Sequence, residues 1–131
     1  MQRLLFAALY LLGDLAYVMT SRPFYDKVVV SIQGKPFVNK PFGMLVAALT
    51  YLLMGVGWLV LVAPVAEDGM NKLTDVVMRA ALVGLLMYGV FNGTLYVFFE
   101  KWTASTAIRD MAWGVTWITV LSVAYALYAT R

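Results

Sequence analysis

The chain contains no cysteine and no histidine. Without thiols there is no disulfide and no thiolate nucleophile. Without imidazole there is no histidine metal ligand, axial haem ligand or imidazole proton relay. Charge is scarce as well. Asp, Glu, Lys and Arg together make up 13% of the residues, about half the share usual in soluble domains. No nucleophile–base pair and no metal-binding spacing stands out, so neither an enzyme nor a bound cofactor or metal is expected. The net charge of +3 is small, and its basic residues lie between apolar stretches. That distribution suits phosphates at a membrane surface and argues against a nucleic-acid partner.

Apolar residues are abundant instead, at 63% of 131 residues. Soluble domains run nearer about 45–50%, so the excess must face lipid. Four stretches are apolar for about the 20 residues that cross a bilayer: 4–20, 42–65, 76–99 and 108–129. The first lacks a convincing small-x-small cleavage site and carries Asp14 and several tyrosines, so it reads as a retained span and not a secretory leader. Pro41 suits the first turn of the second span, and Pro64 its close. In lipid each stretch must be helical, because its backbone groups need internal partners. The expectation is an all-α, four-helix transmembrane bundle, a single membrane domain over 1–131, integral and multi-pass.

The first connection, 21–40, is the longest and holds Arg22, Lys27, Lys35 and Lys40. Its run Val28-Val29-Val30-Ser31-Ile32 is too short to span, and reads as a short strand or an interfacial segment. The other connections are short, so consecutive helices are antiparallel neighbours. Arg22, Lys27, Lys35, Lys40, Lys101 and Arg109 flank one side; Arg3, Lys72, Arg79 and Arg131 flank the other. That bias puts the first and third loops in the cytoplasm. The eight methionines are scattered through apolar segments and read as packing filler.

Asp14 is the residue that asks for an explanation. A carboxylate at that depth costs several kcal/mol, about 2.5–3.5 on insertion scales, unless it has partners. The loop order supplies them. Asp14 lies ~9 Å below one end of its helix, Asn92 ~10 Å and Thr50 and Tyr51 ~12–14 Å below the same side, with Asp110 in the first turn of the fourth span. Tyr10, Asp14 and Tyr17 share one face of the first helix, and Tyr88, Asn92 and Tyr96 one face of the third. Asp110, Gly114 and Trp117 line one face of the fourth. The opposite half of the bundle is mostly apolar.

Each feature also has a plain structural reading. Asp14 serves as a packing group if its carboxyl only bonds a neighbouring helix, and Asp110 as a complement to a helix N-terminus. The tyrosines serve as core or interfacial aromatics. Gly89 and Gly93 are spaced for close helix contact, within the bundle or with a second copy, and Gly114 for close packing. Trp102 and Trp113 read as interface anchors, and Arg79 as a snorkelling cation.

The stretch Tyr88-Gly89-Val90-Phe91-Asn92-Gly93-Thr94, then Trp102, then Asp110-Met111-Ala112-Trp113-Gly114, resembles a family of small predicted multi-pass membrane proteins of unknown function, found in bacteria and some large DNA viruses. The family pattern is Tyr-x-x-Tyr-Asp-x-Thr-Asn, a Trp, then Asp-x-x-Trp-Gly, with a further Asp in the first span that Asp14 matches. The resemblance adds Thr94 to the candidate polar cavity formed by Asp14, Tyr10, Tyr17, Thr50, Tyr51, Tyr88, Asn92 and Asp110. Asn92 stands where the family has Asp, and Leu95 where it has Asn, so one ionisable group is lost here. The resemblance implies the fold and the site but no activity. Two functions remain. One is a structural or assembly role, with the polar cluster as interhelical glue. The other is binding or transport of a proton, small cation or polar solute through a half-membrane cavity around Asp14. The lipid bilayer is the partner common to both, with room for an oligomer.

Overall fold

The computed structural model describes residues 1–36 and 40–129, apart from the Met70 side chain. Residues 37–39 of the first connection, and Arg131 of the charge count, lie outside the described residues. Six helices follow one another: α1 Gln2–Gln33, α2 Gly43–Leu61, α3 Ala63–Glu67, α4 Leu73–Gly84, α5 Val90–Phe98 and α6 Ala104–Ala129. A π-helical turn, Leu85–Gly89, joins α4 to α5, so Leu73–Phe98 forms one continuous span. With α1, α2 and α6 it makes four helices long and apolar enough to cross a membrane. Among the described residues there is no strand.

The first span runs further than its apolar stretch. Residues 21–33, expected as loop with a strand or interfacial piece at 28–32, continue α1 as helix through Pro23. Pro23 has no N–H to donate and removes one rung of the ladder. Contacts with other helices outweigh that loss. Ser21 is buried, Tyr25 stacks on Trp102 with ring centres 6.1 Å apart, and Tyr25 donates to Asp110. The β-branched run at 28–32 follows, its weak local preference overridden by this packing. The helix stops at Gly34, whose φ of 75° is left-handed and whose N–H bonds Val30 O at 2.9 Å. The connection shrinks to 34–42, still the longest. At 1.5 Å per residue α1 is ~48 Å long, well beyond the ~30 Å of hydrocarbon.

The bundle is centred on α6, which packs against α1, α3, α4, the π turn and α5. Small residues permit this closeness. A Cβ on Gly84 would stand 3.0 Å from Val115 Cα and 2.7 Å from Ile118. The Trp117 indole covers Gly13 and donates its Nε1–H to Tyr10 O at 2.9 Å, tying α6 to the backbone of α1. The apolar core of Trp58, Val62, Val76, Ala80, Ile118 and Tyr125 fills the end away from the first loop. That end is less uniformly apolar than expected. Trp58 donates to Ser122 Oγ at 2.9 Å, and Arg3 and Tyr125 both donate to the Glu67 carboxylate. By contrast α2 is peripheral. It packs on α1, α3 and α4 and makes no extensive contact with α5. Of its residues only Gly55 and Trp58 are buried.

The Arg3–Glu67 pair sets a pH dependence. Arg3's hydrogen bonds hold the Glu67 carboxyl below its ordinary 4.5, against an opposing effect of burial. A depressed folded value means the stabilisation is complete above the unfolded value and is lost as pH falls through the folded one. With 51% of the Arg3 side chain exposed, solvent screening keeps this contribution small. Melting the wild type and Glu67→Gln in micelles at about pH 6 and pH 3.5 should show the difference between them narrowing at the lower pH.

Candidate polar site

Two tiers of polar side chains lie inside the bundle, on the side of the first and third loops. The deeper tier surrounds Asp14, which is 5% exposed. Tyr88 donates to Asp14 Oδ1 at 2.5 Å and Tyr51 to Oδ2 at 3.1 Å. The Tyr10 hydroxyl lies 3.4 Å from that of Tyr88. Helices α1, α2 and the π turn each contribute, so one carboxylate joins three spans. From the ends of α2 and α5, Tyr51 and Tyr88 lie ~12–15 Å deep. Asp14 is therefore deeper than its own apolar stretch suggested, because α1 does not end near residue 20.

The shallower tier surrounds Asp110, ~9 Å into α6. Asn92 donates through Nδ2 to Asp110 Oδ2 at 2.6 Å and to Tyr88 O at 2.9 Å. Tyr25 donates to Asp110 Oδ1 at 3.2 Å, and its oxygen lies 2.9 Å from that of Tyr17. Asn92 is thus the link between the tiers. It bonds the main chain of the residue whose side chain holds Asp14.

The π turn explains how Tyr88 reaches this position. It widens the helix by about one residue per turn, and the Tyr88 ring settles directly on Gly114 of α6. Any side chain at Gly114 would meet that ring. Gly89 makes only ordinary contacts with Leu85 and Met111, at 3.5 and 3.6 Å from a Cβ built on it.

Several expected residues lie elsewhere. Thr94 is exposed and its hydroxyl bonds Val90 O at 2.7 Å, within its own helix. It takes no part in the cavity, because its position on α5 faces outward. Gly93 shares that outward face, with nothing within 4 Å of a Cβ placed there, so it does not serve close packing within the bundle. Thr50 lines the cavity, yet its hydroxyl bonds Val46 O at 2.9 Å. Tyr17 belongs to the Asp110 tier and not to Asp14. Trp102 is buried and donates to Asn92 Oδ1 at 3.3 Å, so it is a member of the polar network and not an interface anchor. The turn from Phe99 O to Trp102 N, 2.9 Å, folds it inward. Trp113 is half-buried inside the bundle, stacked on Tyr17 at 4.7 Å and Trp117 at 5.8 Å. Its buried Nε1–H lies near the Asp14 carboxyl without completing a well-formed hydrogen bond. Tyr25 was missed because its segment read as loop. The signal was present: residues 10, 14, 17, 21 and 25 form one continuous helical stripe.

A cavity of about 400 Å³ runs between the tiers. Asp14 and Asp110 both border it, and Val18, Leu53, Met54 and Phe91 supply apolar walls. Its lining spans α2 and α5, which make no extensive contact with each other. Among the described residues no Lys or Arg forms an ion pair with either acid. Arg109, next to Asp110 in sequence, sits instead over the Phe24 ring, 4.4 Å from its centre. No group of three or more metal-ligating side chains comes together among the described residues.

A family model described as "Predicted membrane protein (DUF2177)" matches residues 2–127. The chain belongs to that family. With its four apolar helices it is an integral, multi-pass membrane protein. No curated protein and no solved structure matches it. Membership in DUF2177 spans both tiers and the cavity, and the family description names no activity.

Proposed function

We propose that the protein binds a proton or small cation inside the membrane, in the cavity bordered by Asp14 and Asp110. The observation that supports this is two carboxylates on one membrane-embedded cavity with, among the described residues, no basic residue paired to either. Two uncompensated negative charges in a low-dielectric site are costly, and a cation or proton offsets them. Each acid accepts two hydrogen bonds and keeps spare acceptor capacity toward the cavity, since a carboxylate offers about four lone-pair sites. The binding involves no catalytic step and no resident cofactor.

A second reading is an assembly role, with the tiers as interhelical glue. It is favoured by Tyr51 and Tyr88, from two different spans, both donating to Asp14. Infrared difference spectra of the protein in nanodiscs distinguish the two. Stepping between about pH 4 and 9, or exchanging sodium for potassium or methylammonium, should change carboxyl bands that are absent in Asp14→Asn and Asp110→Asn. Bands that no pH step and no cation alters would remove the binding reading and leave the glue.

A further inference from the structure

We infer that the occupant of this cavity is an amphiphilic ammonium, a protonated amine on a single apolar tail, which enters from the bilayer between α2 and α5. The inference rests on the cation-binding reading and names its ligand class. Four observations carry it.

The first is access. The cavity is lined by Leu53 on α2 and Phe91 on α5, two helices that make no extensive contact with each other, and these residues are 70% and 55% exposed on the outside of the bundle. A ligand dissolved in the bilayer reaches it without crossing water. The second is size. About 400 Å³ falls within the 300–1,000 Å³ usual for organic ligands. A single ion or water, at about 30 Å³, would leave most of it empty.

The third is the donor set. A dehydrated metal cation wants roughly six or more oxygens. Here the two carboxylates and the Thr50 and Tyr88 hydroxyls are the side-chain oxygens on the cavity, but Thr50 is engaged with its own helix, Tyr88 donates to Asp14, and the two carboxylates already accept four hydrogen bonds between them. An ammonium has only three N–H donors, which the spare lone pairs of Asp14 and Asp110 match. The apolar walls then meet a hydrocarbon tail and not a hydration shell. The fourth is the sign of the charge. Among the described residues no Lys or Arg borders the cavity, so a phosphate-bearing headgroup would lack a counter-charge. That favours a simple amine over a phospholipid.

The test uses the full-length protein in nanodiscs and hexadecylamine carrying a nitroxide on its chain. Electron paramagnetic resonance reads the fraction immobilised by protein. The matching nitroxide-labelled alcohol has the same tail and no charge. The amine should be immobilised about tenfold more strongly than the alcohol, the effect of one charge-assisted contact. Asp110→Asn should lower the amine to the level of the alcohol. Leu53→Trp, on the lipid-facing edge of α2, should block the amine, and because it touches neither acid this arm does not depend on either acid variant folding. Equal immobilisation of amine and alcohol in the wild type overturns the inference. Displacement of the amine by ethylammonium at equal concentration overturns it too, since the tail then contributes nothing, yet the cation-binding reading survives. Infrared bands indifferent to every cation and pH step bring down both.

Discussion

Asp14→Leu should lower the unfolding free energy in micelles by about 1–3 kcal/mol, while Asp14→Asn should cost less than about 1. Leucine has nearly the shape of the carboxylate but accepts nothing. It leaves the hydroxyls of Tyr88 and Tyr51 buried without their acceptor. In water-soluble cores each such group costs about 1–3 kcal/mol. Interhelical bonds in membranes average about 0.6, with a maximum near 1.7, because the unfolded spans also find partners. The membrane values govern here, and two lost acceptors then give the stated range. Asparagine keeps an oxygen for one tyrosine. Adding Tyr88→Phe to Asp14→Leu should restore part of the loss, since it deletes a donor already stranded. Denaturation in mixed micelles, followed by the near-ultraviolet signal of the Trp113–Trp117 stack, measures all of these. A single mutant as stable as the wild type would show that Asp14 does not join the spans energetically.

Gly114→Ala should be nearly as damaging, at about 1–3 kcal/mol, the usual range for overpacking. The new methyl would meet the Cγ, Cδ1 and Cδ2 atoms of the Tyr88 ring. That ring has little freedom to withdraw. Its hydroxyl is held by Asp14, and its main-chain oxygen accepts from Asn92. Either α6 moves away or the Tyr88–Asp14 bond breaks, so the carboxyl bands of Asp14 should shift together with stability. Gly93→Ala is the matched control. It lies on α5, just over a turn beyond Tyr88, with open space around it. There alanine should be neutral or stabilise by up to about 1 kcal/mol through helix propensity. Equal behaviour of the two variants would mean that the Tyr88–Gly114 contact does not set the packing of α6.

The four spans were legible because lipid demands long apolar helices, and the short loops fixed their antiparallel order. Order alone then put Asp14, Tyr51, Asn92 and Asp110 in one half of the membrane, with Asp14 level with Asn92; the structure sets Asp14 deeper, beside Tyr51 and Tyr88, and Asn92 beside Asp110. The end of α1 was harder to read. Pro23 and a run of β-branched residues look like a boundary locally, but Tyr25 gains a stacking partner and an acidic acceptor only in the folded bundle. The true stop, Gly34 followed by Pro36, has the usual chemistry of a helix end. Nothing in Leu85–Gly89 announces a π turn. It has no proline, and its cause is the fit of Tyr88 between Gly114 and Asp14. Trp102 shows another limit. An indole at a span's edge can face headgroups or a buried amide with the same sequence around it, and here Asn92 decides.

The pairing of Asp14 with Tyr88 joins residues 74 positions apart, and this separation sets a schedule for synthesis. At about 5–20 residues per second, Tyr88 leaves the ribosome about 4–15 s after Asp14. Tyr51 comes sooner but supplies only one of the two bonds. During that interval the first span carries an acid that the finished bundle shelters and the bare bilayer does not. The span that carries Asp14 thus settles in lipid only once the third has emerged, and α6, on which the bundle is centred, follows both.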